Sequence, residues 1–207
     1  MHAIAPHIFR AYDIRGLAGV DFDEEWVGRL GRACGSVFRR NGQRTAVVGR
    51  DCRASSLPYG EALIRGLRET GVSVIDVGMA PTPFLYYAVK RYETRAGVMV
   101  TASHNPSEYN GFKVWSGEST LYNDGIDELR RLMLAGGFPS GSGSLETRDI
   151  FGEYLEEVAR RVAVRRKLKV VVDGGNGAGG EYCAVLLERL GAEVVRLFCE
   201  PDGNFPN

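Results

Sequence analysis

Segments that read as strands alternate with segments that read as amphipathic helices along nearly the whole chain, and this alternation restricts the fold more than any other feature. Trp26, Val27, Leu30, Cys34, Val37 and Phe38 recur at helical spacing, with Asp21 or Asp23 as the cap and Asn41-Gly42 as the stop. Extended runs are predicted at 9–14, 45–49, 72–77, 96–101 and 112–115, with further helices at 57–70, 82–91 and 123–135. This order predicts an α/β domain whose mixed, mostly parallel sheet is flanked by helices. In such sheets ligands gather at the carboxyl ends of the strands. The polar loops that follow Gly49 and Thr101 are therefore expected to share one edge.

The run Gly136-Gly137-Phe138-Pro139-Ser140-Gly141-Ser142-Gly143-Ser144 reads as a linker or exposed loop. Beyond it the pattern restarts, with helix 151–163, strand 168–173, a glycine-rich turn, helix 182–190 and strand 193–198. Residues 1–147 are thus expected to form one domain and residues 148–207 an incomplete second α/β unit. Two strands and two helices bury little apolar surface. The chain is accordingly expected to end within that unit, whose open sheet edges leave self-association as one outcome.

Hydrophobic residues make up 44% and charged residues 25% of the 207, as in ordered globular proteins. Lys+Arg and Asp+Glu both number 26, so no broad cationic surface for nucleic acid or anionic membrane is expected. No apolar stretch approaches the ~18 residues of a spanning helix. The start, Met1-His2-Ala3-Ile4-Ala5-Pro6-His7, has neither the basic nor the apolar region of a signal peptide, and a cytoplasmic protein is expected. Cys34, Cys52, Cys183 and Cys199 form no Cys-x-x-Cys pair, which argues against a zinc site or a disulfide framework.

Chemistry concentrates in Thr101-Ala102-Ser103-His104-Asn105-Pro106-Ser107-Glu108-Tyr109-Asn110-Gly111-Phe112-Lys113. A buried run, 96–101, delivers Ser103 to a strand end, and a polar turn returns the chain to Lys113. A serine hydroxyl becomes a useful nucleophile only when a base takes its proton or a cation stabilises the oxyanion. Lys113, Arg15 and His104 are the candidate partners. Taken alone, Ser-His-Asn-Pro is more simply a turn. A serine hydrolase would need an acid, a histidine and an elbow of the Gly-x-Ser-x-Gly kind. Ser103 has Ala102 before it and His104 after it, and adjacent side chains generally diverge, so His104 is not expected to act as its base.

Phe9-Arg10-Ala11-Tyr12-Asp13-Ile14-Arg15-Gly16 places a planar, permanently charged fork beside a glycine turn, a pattern suited to phosphate. A surface ion pair for Arg15 is the plainer alternative. Gly49-Arg50-Asp51-Cys52-Arg53-Ala54-Ser55 reads as loop scaffolding. The glycine-rich turn at 173–180 lies between a strand and a helix, where backbone N–H groups can bind phosphate, but it lacks the Lys-Ser/Thr of a Walker loop and reads more simply as a tight turn.

Together, these four blocks resemble the α-D-phosphohexomutases in their order, and the Arg-Ala-Tyr-Asp-Ile-Arg-Gly opening resembles the phosphomannomutase/phosphoglucomutase branch. The resemblance implies that Ser103 carries a phosphoryl group between C1 and C6 of a hexose phosphate through a hexose 1,6-bisphosphate. It implies Tyr12 and Arg15 on the substrate side, His104 and Asn105 supporting the phosphoserine, and Lys113 assisting proton transfer or holding charge. It also implies a Mg2+ ion meeting Ser103 through its phosphate, although the family's Asp-x-Asp-x-Asp magnesium loop has no counterpart in these residues. By this reading the parent protein is a mutase and the 207 residues do not turn over alone. The alternative is a non-catalytic module that binds a phosphosugar or a partner.

Overall fold

The computed structural model describes residues 2–207. After a short 3-10 turn at Pro6–Ile8, the first sheet is built from β1 (Ile14–Leu17), β2 (Thr45–Arg50), β3 (Ser73–Met79), β4 (Ala96–Val100), β5 (Tyr109–Ser116), β6 (Ser119–Thr120) and β7 (Leu145–Thr147). Their spatial order is β1-β5-β4-β2-β3-β7, with β6 beside β5. Strands β4, β2, β3 and β7 run parallel, while β5 is antiparallel to both β1 and β4. The mixed, mainly parallel sheet expected from the sequence is the one found.

Helices α1 (Glu24–Arg40), α2 (Ser56–Glu69) and α4 (Asp124–Ala135) cover one face, and α3 (Thr82–Arg91) and α5 (Phe151–Arg161) the other. Strand periodicity sorts the two cores. Ala46, Val48, Val98 and Val100 join Trp26, Phe22, Phe38 and Phe112, whereas Val47, Ile75 and Met99 join Phe84, Leu85 and Ile150. β4 is buried along its whole length because helices press on both of its faces. α1 starts where Asp23 accepts a bond from the Trp26 N–H at 2.8 Å. Glu24 and Glu25 in its first turn and Arg39 and Arg40 in its last suit the helix dipole. α1 and α2 touch through glycine, since a Cβ on Gly66 would stand 2.1 Å from the Gly28 carbonyl oxygen.

Three expectations need correction. Of the two readings of the segment at 136–144, the exposed loop holds and the free linker does not. Gly141 and Gly143 donate to the Glu69 and Arg68 carbonyls at the end of α2, and the chain then enters the sheet as β7 beside β3. Glycine permits this approach, because a Cβ on Gly143 would fall 1.9 Å from the Val72 oxygen. The first strand begins at Ile14 rather than near Phe9, which makes only an isolated bridge to Ile14. β5 begins three residues earlier than expected, at Tyr109, because Asn110 and Gly111 stay paired to β1.

A second, two-stranded parallel sheet joins β8 (Lys169–Asp173) to β9 (Glu193–Leu197), with α6 (Gly180–Arg189) between them. Phe84 of α3 anchors this part, its ring centroid lying 5.9 Å from Phe151, 4.4 Å from Tyr154 and 4.9 Å from Tyr182. Val171, Val195 and Leu197 remain exposed. No helix among the described residues is long and apolar enough to cross a membrane.

Cys34 is buried in the first core, and burial pushes its thiol up from 9.0 to about 12. The folded state therefore binds the proton more tightly than the unfolded chain. Its contribution is fully present below pH 9.0 and is lost as pH rises toward about 12. Cys52, raised mainly by burial and next by the Asp51 charge, acts in the same direction. Urea unfolding of Cys34→Ala should show a shallower loss of stability above pH 9.0 than the parent chain, by up to about 1.4 kcal/mol per pH unit. Parallel pH profiles for the two proteins would contradict this.

Candidate active site

Thr101 extends the pairing of β4 by one residue, its N–H donating to the Gly111 oxygen at 2.8 Å. The chain then turns sharply at Ser103, whose φ of +61° lies in the left-handed region that L-residues rarely adopt. Asn105 N–H to the Ala102 oxygen (3.2 Å) and Tyr109 N–H to the Pro106 oxygen (3.1 Å) close the following turns. Ser103 and His104 are exposed at this open strand end. Their side chains do not diverge as expected of neighbours: Ser103 Oγ lies 3.3 Å from His104 Nδ1. The left-handed backbone at Ser103 is what swings the two to the same side. Among the described residues no carboxylate bonds His104, so the Ser–His contact lacks the acid of a hydrolase triad.

Beneath the loop lies the pair Asp51 and Arg53. Asp51, placed where β2 ends, accepts from Thr101 Oγ1 at 2.7 Å, from Ser56 Oγ, and from the Arg53 Nε at 3.0 Å. Thr101 Oγ1 in turn accepts the Ser103 N–H at 2.9 Å. Arg53 donates to the Ser103 carbonyl at 3.1 Å and to the Asn105 carbonyl at 2.7 Å. Both backbone polar groups of Ser103 are thereby held by one buried ion pair and its threonine.

A second charged cluster stands on β1 and β5. The register sets Ile14 opposite Phe112, so Asp13 and Lys113 face each other across the antiparallel pair. Lys113 Nζ lies 2.9 Å from Asp13 Oδ2, and the same oxygen receives Arg15 Nε at 2.8 Å and its NH2 at 2.7 Å. Asp13 is 1% exposed and Arg15 7%. Gly111, opposite Arg15, leaves room for its stem, since a Cβ there would sit 3.0 Å from Arg15 Cγ. The exposed Tyr12 ring lies 6.0 Å from the Arg15 guanidinium and 5.4 Å from Lys113 Nζ.

Asn105 bridges the two clusters. Its side-chain oxygen accepts Arg15 NH1 at 3.0 Å, while its main-chain oxygen accepts Arg53. Tyr12, Arg15, Asn105 and Lys113 are thus brought together, with Ser103 and His104 on the adjoining turn. Ser103 and His104 also line cavities of about 520 and 280 Å3, shared with Gly177 and Phe205 of the second unit. Arg15 and Lys113 do not border those cavities. Asp13 is the residue that sequence reasoning passed over. Its only signal was the two-residue offset from Arg15, which puts both on one face of an extended strand. As for the Mg2+ expected at a Ser103 phosphate, the described residues contain no group of three or more His, Cys, Asp or Glu side chains able to hold a metal. The Asp51 carboxylate is already engaged by three partners, so these residues do not supply a fitting ligand set.

Comparison with known proteins places these features in a family. The family described as "Phosphoglucomutase/phosphomannomutase, alpha/beta/alpha domain I" matches residues 6–136, and its domain II matches residues 152–207. A phosphomannomutase/phosphoglucomutase of Pseudomonas aeruginosa is 46% identical over 200 residues, which is 97% of this chain and 43% of that protein. A phosphoglucomutase of Neisseria gonorrhoeae is 41% identical over 209 residues, covering all of this chain and 45% of that one. The crystal structure of a phosphoglucomutase/phosphomannomutase family protein from Burkholderia thailandensis superposes with a TM-score of 0.94 at 41% identity, over all of this chain and 46% of that one. The chain spans less than half the length of these relatives. With both domain matches in order and the Ser103 loop and cation cluster on one sheet edge, the chain belongs to the phosphoglucomutase/phosphomannomutase family.

Proposed function

We propose that these residues supply the phosphoryl carrier and the cationic pocket of a phosphohexomutase that moves phosphate between C1 and C6 of a hexose phosphate. One observation carries the reading: Asn105 joins the Ser103 turn to the buried Arg15–Asp13–Lys113 cluster, so a nucleophile and two fixed cations share one strand edge. Ser103 Oγ attacks a phosphorus of a hexose 1,6-bisphosphate. The phosphorus–oxygen bond to the sugar breaks, and the sugar oxygen keeps the electron pair and takes a proton. In the reverse direction the phosphoserine gives its phosphoryl group to a hydroxyl of a hexose monophosphate and regains the serine hydroxyl.

The residues around Ser103 have roles consistent with that exchange. His104 Nδ1, 3.3 Å from Oγ, accepts the serine proton when the imidazole is neutral and carries its own proton on Nε2. Arg15, whose fork is held by Asp13 and Asn105, contributes fixed positive charge toward the phosphate, and Lys113 contributes a point charge. Phosphoryl transfer depends mainly on such positioning and charge stabilisation. Tyr12 shields the two cations from bulk water on the substrate side.

The test is to incubate the chain with glucose 1,6-bisphosphate and locate added phosphate by peptide mass spectrometry. Modification of Ser103 is the expected result. Phosphate on Ser55 or Ser107 with Ser103 unmodified would overturn the assignment. Binding of hexose phosphate without any transfer would favour the non-catalytic module instead.

A further inference from the structure

Arg53 is buried, and all five of its N–H donors are engaged. Nε meets Asp51, NH1 meets the Pro106 and Tyr109 carbonyls, and NH2 meets those of Ser103 and Asn105. Four carbonyls of one loop therefore converge on one planar cation. Because the donors are coplanar, a tilt of the guanidinium weakens several of these bonds together. The face of that plane is covered by Phe205, whose ring centroid lies 4.9 Å from the guanidinium carbon. Phe205 comes from the second α/β unit. Its φ of +48° is unusual for a bulky side chain, as is the +61° of Ser103 at the other end of the arrangement.

The turn that presents Phe205 is docked, not loose. A Cβ on Gly203 would stand 2.5 Å from the Cys52 oxygen, so the turn at 202–205 lies flat on the loop that carries Arg53. The Cys52 thiol donates to the Asn176 carbonyl at 3.5 Å. Asn176 receives Asp202 N–H on that same carbonyl and the Asn207 amide on its side-chain oxygen, and it donates to the Glu200 carbonyl. Phe205 N–H closes the turn on the Asp202 oxygen at 3.0 Å. Two left-handed residues, each rare by itself, are thus held on either side of one fully bonded arginine.

We infer that Phe205 is a positioning residue for the Ser103 loop, acting through Arg53, so that docking of the second unit sets the geometry of the proposed phosphoryl carrier. The ring keeps the guanidinium in the plane that reaches all four carbonyls and keeps water from competing for its donors. The coupling rests on the proposed function only for its purpose. The structural link is measurable with no sugar phosphate present.

Amide hydrogen exchange of the full chain tests it, read at Ser103, Asn105 and Tyr109 in Phe205→Leu, Phe205→Tyr and Arg53→Lys. Phe205→Leu, which keeps apolar bulk and removes the ring, should speed exchange at these three amides about tenfold while the amides of β4 stay protected. Phe205→Tyr should restore the parent rates. Arg53→Lys, which keeps the charge and loses the fork, should speed the same amides at least as much. Unchanged loop exchange in Phe205→Leu alongside faster exchange in Arg53→Lys would remove Phe205 from the device. Unchanged exchange in Arg53→Lys would overturn the clamp itself. Acceleration spread evenly over the chain in proportion to a lowered Tm would mean general destabilisation and would equally overturn the coupling. Failure of Ser103 to take phosphate would count against the proposed function and leave the exchange result standing.

Discussion

Asp13→Ala is expected to destabilise the folded chain by about 3–5 kcal/mol, the cost of leaving buried charges without their partner. Asp13 is 1% exposed, and its Oδ2 receives Arg15 and Lys113 together, while its Oδ1 has no hydrogen-bond partner among the described residues. Removing the carboxylate leaves two cations facing each other, with Arg15 held in place by Asn105. Two further results separate this electrostatic cause from a simple packing loss. Lys113→Met in the Asp13→Ala background should recover part of the stability by deleting one uncompensated charge. Added sulfate should raise the Tm of Asp13→Ala more than that of the parent, because an anion that binds the folded state stabilises it by mass action. Urea unfolding measures all of these. A double variant no more stable than Asp13→Ala alone would show that charge was not the cause.

Arg15→Ala and Lys113→Ala are each expected to slow phosphate capture by Ser103 from glucose 1,6-bisphosphate by roughly 30- to 1000-fold. That range corresponds to about 2–4 kcal/mol of lost transition-state stabilisation, by analogy with removal of an oxyanion donor. The two should differ in selectivity of damage. Arg15 also anchors Asn105, so its loss should loosen the Ser103 turn as well as remove charge. Among the described residues Lys113 bonds only Asp13, and it faces Tyr12, so Lys113→Ala should leave the turn intact and reduce rate alone. Quench-flow measurement of Ser103 phosphorylation, with a melting curve for each variant, gives both quantities. Parent rates in either folded variant would remove that residue from the transfer site.

The contrast between Thr82–Arg91 and the segment at 136–144 explains what could be read in the sequence. The first has its helical spacing and its Pro-bearing start written locally, and the helix found has the predicted bounds. The second is rich in Gly and Ser, a composition that describes a flexible linker and a close backbone approach equally well. Only the tertiary contact of Gly143 with Val72 decides between them. Tyr12, Arg15, Asn105 and Lys113 were legible as candidates because each lies in a motif. Asp13 was not, because its significance is the cross-strand position opposite Lys113, and register is invisible until β1 and β5 are paired. The contact between Ser103 and His104 was hidden for a related reason. Adjacent side chains diverge in ordinary backbone, and nothing in the motif announces a left-handed turn whose carbonyl is held by Arg53 from far along the chain.

On the proposed function, a phosphate on Ser103 faces the positive field of Arg15 and Lys113. Phosphoserine can be installed at position 103 during translation, and its second ionisation followed by phosphorus NMR. That second pKa should lie below the value of about 6 for a free phosphoserine, because nearby cations favour the dianion. Lys113→Met and Arg15→Ala should each move that pKa upward. A phosphoserine that titrates near the free value and ignores both substitutions would mean that Ser103 does not face these cations.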